Sequence, residues 1–320
     1  MTSTYVLGAG VSTTAGLPLA ADLLAAVAQA TLGKKDRKEL DAFLEYVSPV
    51  FSTEYENYPD IEQFLTMLDV AEDFTRMRGR AQRLMFPRRR LSKLKRNFLL
   101  AMAKLLWEGH KRIDEEHCMV KFGKRLAAGD SVITFNYDLT MEHALNEAGS
   151  DWDYEPSPKR VTLLKPHGSV DWFWSDDQEA DRENFSTLYD DLTLFKGWDF
   201  DQDALANKMP VIVPPVAAKT VELADLQRIW QWATTALSRA DKLFIIGYSL
   251  PEQDKLTEFV LRRTAGMRIK SKKSPPCVVN MDGALRSRFH ERIAPDVKFI
   301  PWKFERWVSS AGQEESAAAS

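Results

Sequence analysis

Residues 131–138 read SVITFNYD, where an apolar, β-branched run ends in an asparagine and an aspartate. A run without polar alternation is typical of a strand that is buried on both faces of a parallel sheet. Similar runs recur along the chain with helical patterns between several of them, as after Pro18. We therefore predict an α/β fold with a doubly wound, Rossmann-like, mostly parallel sheet. The other predicted strands lie at 5–7, 161–164, 211–213, 242–246 and 277–279, and two further helices at 225–237 and 254–263.

Residues 35–125 differ from the rest because they carry few strand patterns. Leucine and phenylalanine recur there at helical spacing, as at Leu91, Leu94 and Phe98. We predict a helical insertion over 35–125, between the first helix and the second strand. Residues 1–34 and 126–310 would then form one α/β domain, and the small, polar residues 311–320 a disordered tail.

Composition excludes several classes of protein. The 320 residues include 43 Lys+Arg and 46 Asp+Glu, a net charge of −3, so bulk charge does not predict a nucleic-acid partner. The two cysteines, Cys118 and Cys277, form no CxxC pair, which excludes a four-cysteine zinc site and argues against a disulfide framework. We therefore expect a cytoplasmic protein. No apolar run approaches the roughly 20 residues that span a bilayer, so no membrane partner is expected.

Charge is distributed unevenly along the chain. Residues 76–107 contain eleven basic side chains and no acidic one, whereas residues 175–203 contain ten acidic side chains and two basic ones. The ordinary interpretation of a basic run is a solvated helix face. It could also track nucleic acid, or dock on an acidic surface such as 175–203 of a neighbouring subunit. Aromatic residues for base stacking are sparse in the basic run, which favours docking over nucleic acid.

Polar clusters follow five of the predicted strands, at the edge where open α/β sheets bind ligands. The first cluster, GAGVS, has glycines that would let the backbone approach a phosphate. The dinucleotide fingerprint would place a third glycine where Thr13 stands, so a phosphate site and a tight turn both remain open. The candidate site residues are Gly8, Ala9, Gly10 and Ser12; Asn136 and Asp138; His167; Gly247 and Ser249; and Asn280 and Asp282.

Three of these side chains suggest chemistry. Asp138 either caps the next helix or contacts a ligand, and the pattern leaves both open. Asn136 would be surplus as a cap, which favours a functional role. His167 lies in a PHGS sequence, where Gly168 allows close backbone approach and an imidazole is a natural general base near neutral pH.

Taken together, these segments resemble the sirtuin superfamily, in particular its bacterial sirtuin-like branch associated with antiviral defence. The resemblance is carried by GAGVSTTAGLP (8–18), ITFNYD (133–138), KPHGSVDW (165–172), VPP (213–215), ADKLFIIGYSLPEQD (240–254) and VVNMD (278–282).

The resemblance implies that NAD is the substrate and assigns each cluster a part of it. Gly8, Ala9, Gly10 and Ser12 would surround the pyrophosphate. Asn136 would hold the nicotinamide ribose and the attacking water, Asp138 the nicotinamide amide, and His167 would be the general base at the ribose hydroxyls. Gly247 and Ser249 would contact the phosphate and ribose region, and Asn280 and Asp282 the adenosine end.

Two differences from the classical deacylases argue against deacylation as the activity. Leu17-Pro18-Leu19 stands where those enzymes have Ile-Pro followed by Asp-Phe-Arg, and two cysteines cannot form their zinc ribbon, which helps to build the acyl-lysine cleft. Water then becomes the obvious acceptor, which predicts a metal-independent NAD+ glycohydrolase that depletes NAD.

Two alternatives remain open: a deacylase or ADP-ribosyltransferase with a groove built by the insertion, and a catalytically silent NAD or ADP-ribose sensor. Because an unrestrained NAD hydrolase would be toxic, we expect restraint by homo-oligomerisation or by a partner. The resemblance implies a defence partner such as a translocase-type ATPase.

Overall fold

The computed structural model describes residues 2–48, 58–77, 85–175, 208–213 and 224–310. Its strands are β1 (Ser3–Leu7), β2 (Ser131–Thr134), β3 (Trp152–Asp153), β4 (Val161–Leu164), β5 (Gly168–Ser175), β6 (Lys208–Ile212), β7 (Lys242–Ile246), β8 (Cys277–Val279) and β9 (Lys298–Ile300). Seven of them form a sheet in the order β3-β4-β2-β1-β7-β8-β9, and every neighbouring pair is parallel. The predicted doubly wound α/β fold is confirmed.

Strand β1 lies at the centre of this sheet. Tyr5 is in register with Val132 of β2 on one side and with Phe244 of β7 on the other. The chain first builds the sheet outward through β2, and later returns to the opposite side of β1 with β7. This reversal creates a crevice at the carboxyl end of β1, the position at which such sheets bind ligands.

The prediction that residues 211–213 belong to the parallel sheet is wrong. Strand β6 instead pairs antiparallel with β5 in a separate two-stranded sheet. Gly168 at the start of β5 has a φ of 88°, and a Cβ there would lie 2.0 Å from the Val211 carbonyl oxygen. An apolar run indicates a buried strand but does not identify its partner, which here depends on the close approach that Gly168 allows.

The helices are α1 (Ala9–Ser12), α2 (Ala20–Ala30), α3 (Lys34–Val47), α4 (Ile61–Met77), α5 (Arg88–His110), α6 (Cys118–Gly123), α7 (Thr140–Glu147), α8 (Ala224–Arg239), α9 (Lys255–Lys270), α10 (Leu285–Arg292) and α11 (Phe304–Ser309). The helices predicted at 225–237 and 254–263 correspond to α8 and α9. In the described part of the chain, no single helix is long and apolar enough to cross a membrane, although the bent pair Ala9–Ala15 and Ala20–Ala30 passes that test jointly.

Helices α2 to α5 share an apolar cluster that is distinct from the core of the sheet. Leu24, Phe43, Phe64 and Phe98 are fully buried in it, one from each helix. Helix α2 therefore packs with the helices of the predicted insertion, although it precedes residue 35. The domain limits stay a prediction, and the predicted tail at 311–320 lies outside the described residues.

Part of the basic run in α5 is neutralised within the helical cluster. Arg90 forms an ion pair with Glu39, and Lys95 Nζ lies 2.6 Å from an Asp69 carboxylate oxygen. Arg88 and Arg89 are exposed. The acidic residues at 176–203 lie outside the described residues, so docking between these two charged segments stays a prediction.

Candidate active site

A cavity of about 630 Å³ opens at the carboxyl edge of the parallel sheet. This volume falls in the usual range for small-molecule sites. The structure places all eleven predicted site residues in its lining: Gly8, Ala9, Gly10, Ser12, Asn136, Asp138, His167, Gly247, Ser249, Asn280 and Asp282. Their proximity follows from the sheet, since parallel strands deliver their carboxyl ends to a common edge. The role of each residue stays a prediction.

The glycines after β1 are required by the close packing of two backbone turns. A Cβ on Gly8 would lie 2.5 Å from Tyr248 Cα, and one on Gly10 would lie 2.9 Å from the Gly247 carbonyl oxygen. The Gly10 amide donates to that same oxygen at 3.0 Å. Gly247 itself has a φ of 63°, which favours glycine. The turn after β1 and the turn after β7 therefore form one tightly joined backbone surface.

A chain of hydrogen bonds joins the clusters after β1 and β2. Asn136 Nδ2 donates to Ser12 Oγ at 2.8 Å and to the Gly8 carbonyl oxygen at 3.0 Å. Ser12 Oγ donates to Asp138 Oδ2 at 2.7 Å. Asp138 Oδ1 accepts from the Thr140 amide at 3.0 Å, in the first turn of α7. The N-cap residue of α7 is Leu139, so Asp138 is not the N-cap itself, although its carboxylate accepts from the first amide of the helix. Its contact with a ligand stays a prediction.

The carboxamide of Asn136 is oriented by hydrogen bonds from its nitrogen, which leaves its oxygen free to accept a hydrogen bond from a ligand. Both of its amide hydrogen bonds are made by Nδ2, and Asn136 Oδ1 accepts no hydrogen bond from another described residue. The side chain is only partly buried and lines the cavity. Its oxygen can therefore orient a hydroxyl group or a water molecule.

His167 lies at the cavity floor and is 4% exposed. Its ring packs against Phe135 at a centroid distance of 4.9 Å and against Trp230 at 6.0 Å. Burial lowers the pKa of His167, and the charge of Asp254, whose Oδ2 lies 3.7 Å from His167 Nε2, opposes that effect. Burial therefore favours the neutral imidazole, the form that can accept a proton.

Lys165 forms a buried polar centre that joins the segments following β2 and β4. Its Nζ donates to the Asp138 carbonyl oxygen at 2.6 Å, to Glu142 Oε1 at 2.7 Å and to Ser169 Oγ at 2.7 Å. Lys165 and Glu142 are both fully buried. Because Lys165 bridges the loop after β2 and the segment that carries His167, it fixes the positions of both.

Three acidic residues that line the cavity, Glu62, Asp254 and Glu305, were not identified from the sequence. Asp254 lies in the quoted segment 240–254, and its Oδ2 accepts from Tyr248 OH at 2.6 Å. Glu62 comes from α4, in the predicted insertion, and also lines the cavity. Burial, followed by the charges of Asp254 and Asp60, raises the pKa of Glu62 to about 7. A raised carboxyl pKa in a cleft indicates a functional group, but the helical pattern around Glu62 gave no sign of it.

At the far side of the cavity, Asn280 and Asp282 shape the turn after β8. Asn280 Nδ2 donates to the Tyr248 carbonyl oxygen at 3.3 Å, and its Oδ1 accepts from the Asp282 amide at 3.0 Å. Met281 between them is 63% exposed and lines the cavity. The turn after β8 is therefore joined to the turn after β7.

No group of three or more metal-ligating side chains occurs among the residues that the structure describes. Both cysteines are free thiols, and neither lines the cavity. The cavity lining combines backbone turns, a carboxamide, an imidazole, aromatic rings and several carboxyl groups.

Comparisons with known proteins found similar solved structures and one matching family model. Among solved structures, the chain is similar to Sir2 in complex with the inhibitor EX-527, 2′-O-acetyl-ADP-ribose and deacetylated p53 peptide, at 15% identity over 99% of this chain and 94% of that one, with a TM-score of 0.40. It is also similar to Sir2Tm bound to a propionylated peptide, at 15% identity over 99% and 94% of the two chains, with a TM-score of 0.43. No curated protein matches the sequence. Residues 130–274 match the SIR2-like domain family.

Proposed function

We propose that the protein is an NAD+ glycohydrolase, which cleaves the nicotinamide–ribose bond and releases nicotinamide and ADP-ribose. The observation that carries this proposal is the order of the site residues across the sheet. Asn136 follows β2, Gly10 follows β1, Ser249 lies beyond β7 and Asn280 follows β8, and these strands are consecutive neighbours. The resemblance assigns these residues to nicotinamide ribose, pyrophosphate, the phosphate and ribose region, and adenosine, which is their order along NAD.

The spacing of the strands supports an elongated ligand. Neighbouring strands lie about 4.8 Å apart, so the three steps from β2 to β8 span roughly 14 Å. The tight glycine turn after β1 lies near the middle of this span, where the pyrophosphate belongs.

Cleavage of the glycosidic bond makes specific demands on the site. The nicotinamide nitrogen leaves with the bonding electron pair, and positive charge develops on the ribose. The free Oδ1 of Asn136 can orient a ribose hydroxyl or the water that attacks C1′. His167, neutral and buried, can accept a proton from a ribose hydroxyl as positive charge builds on the ring.

The test is to incubate the purified protein with NAD and to measure nicotinamide and ADP-ribose, with and without an acetylated peptide. We expect equal amounts of both products without peptide. Asn136→Ala and His167→Ala should each reduce turnover by about 10²-fold or more, with the circular dichroism of the wild type retained.

Each of the other outcomes selects a different function. Wild-type turnover in either variant would contradict the catalytic assignment. Nicotinamide release that requires peptide would identify a deacylase. ADP-ribose joined to a protein would identify a transferase, and NAD bound without cleavage would identify a sensor.

The biological setting follows from the activity proposed. We propose that NAD depletion serves bacterial antiviral defence, with the protein acting in the cytoplasm as a homo-oligomer or with a defence partner such as a translocase-type ATPase. The exposed Arg88 and Arg89 of the basic segment 76–107 are available for such docking. Cells that express the wild type should lose NAD and resist phage, whereas cells that express Asn136→Ala should do neither. Equal phage resistance with both proteins would contradict the defence role.

A further inference from the structure

Glu62 is placed at the cavity by the buried start of helix α4. Asp60 Oδ1 accepts from the Gln63 amide at 2.7 Å and fixes the first turn. Ile61 is 2% exposed, so its side chain ties this turn to the apolar cluster. The carboxylate of Glu62 thereby joins the lining that contains Asn136 and His167.

Asp254 and Glu62 both line the cavity but differ in their hydrogen bonding. Asp254 is committed to structure, because Oδ1 accepts from the Thr257 amide at 3.1 Å and Oδ2 accepts from Tyr248 OH at 2.6 Å. The carboxylate of Glu62 accepts no hydrogen bond from any other residue that the structure describes. It is partly buried and open to the cavity. Of the two, Glu62 is the one with a free carboxylate for a ligand or a water molecule.

We propose that Glu62 is a catalytic residue that accepts the proton of the water attacking NAD. The inference rests on the proposed glycohydrolase activity and identifies the general base that acts on the attacking water. In this step the water oxygen forms a bond to C1′ of the nicotinamide ribose. The C1′–N bond breaks, and its electron pair goes to the ring nitrogen of nicotinamide. One water proton passes to the Glu62 carboxylate and later to solvent, so NAD+ and water give nicotinamide, ADP-ribose and one proton.

The electrostatics of Glu62 agree with this role. A carboxylate in the first turn of a helix is ordinarily stabilised by the helix dipole. Burial and the neighbouring carboxylates outweigh that effect and raise the pKa of Glu62 to about 7. A base whose pKa lies near the working pH is the most effective one.

The experiment compares Glu62→Gln with Glu72→Gln, which makes the same chemical change on the same helix. Glu72 lies ten residues further along α4, roughly 15 Å along its axis, and does not line the cavity. We expect Glu62→Gln to lower kcat by about 10²- to 10⁴-fold while KM changes by less than about threefold. Glu72→Gln should behave as the wild type.

Chemical rescue separates a proton acceptor from a structural carboxylate. Sodium formate should restore turnover in Glu62→Ala, because formate can occupy the vacated space and accept the proton. Sodium chloride at equal ionic strength should not restore it. A structural role of Glu62 would not produce this difference.

The outcomes distinguish this inference from the activity on which it rests. If wild-type protein releases no nicotinamide, both are overturned. If wild type is active and Asn136→Ala is inactive, but Glu62→Gln keeps turnover within about threefold of wild type, only the role of Glu62 is overturned. A change in KM alone, or failure of formate to rescue Glu62→Ala, also overturns it.

Discussion

Replacing Glu62 by glutamine is expected to stabilise the folded protein above pH 7. Burial, Asp254 and Asp60 raise the pKa of Glu62 from 4.5 to about 7. Between these values the folded protein holds a proton that the unfolded chain has released. The difference, at about 1.4 kcal/mol per pKa unit, corresponds to about 3 kcal/mol of unfolding free energy.

The sign of the effect follows from proton binding. Below pH 4.5 the carboxyl group is protonated in both states, and its contribution to stability is fully present. As the pH rises toward 7, the unfolded state loses the proton first and gains stability relative to the folded state. Glutamine is uncharged at every pH and avoids this loss. Since water in the cavity screens the charge of the partly exposed Glu62, we expect a gain of about 1–3 kcal/mol at pH 8.

Urea unfolding, followed by the fluorescence of the nine tryptophans, measures this gain. The gain in unfolding free energy from Glu62→Gln at pH 5 should be about a quarter of the gain at pH 8, because most of the titration of Glu62 lies between these pH values. Glu72→Gln should change the unfolding free energy by less than about 0.5 kcal/mol at both pH values. Equal stability of Glu62→Gln and wild type at pH 8, or an equal gain at both pH values, would refute the reasoning.

Two further predictions concern the buried lysine and metal. Lys165→Met should lower the unfolding free energy by about 3–5 kcal/mol, because it leaves the buried Glu142 without its cation. The double variant Lys165→Met/Glu142→Gln should recover part of this loss in urea unfolding, and an additive loss would contradict the assignment. NAD hydrolysis should be unchanged by EDTA, and a loss that zinc restores would show that a metal is required.

The sheet and its functional edge could be predicted because the local sequence encodes both. Apolar runs such as 242–246 specify strands that are buried on both faces, and β7 has the predicted limits. Five of the six predicted runs are followed within a few residues by a polar cluster. In a parallel sheet the carboxyl ends lie at one edge, so proximity in space follows from position along each strand. Asn136, His167 and Asn280 therefore reach one cavity although they are distant in sequence.

The features that escaped prediction depend on packing between distant segments. The partner of β6 is set by the turn at Gly168, and an apolar run such as 211–213 carries no signal for it. Glu62 stands in an ordinary amphipathic helix, and only the packing of α4 against its neighbours brings it to the sheet edge. Asp254 caps α9 through the Thr257 amide, and its position 3.7 Å from His167 depends on packing that the sequence does not show.

The position of Glu62 affects both the stability of the fold and, as proposed, the turnover of NAD. At the start of a helix a carboxylate usually stabilises the fold, yet burial and two nearby acidic residues make this one destabilising at neutral pH. A glutamine would fit the same place without that loss. Natural proteins retain such locally unfavourable groups mainly where function requires them. If Glu62 acts as the base, the variant that unfolds at higher urea concentration must also be the one that no longer hydrolyses NAD. A purely structural Glu62 predicts a stability change with unaltered turnover, so measuring both quantities on the same variant decides between the two roles.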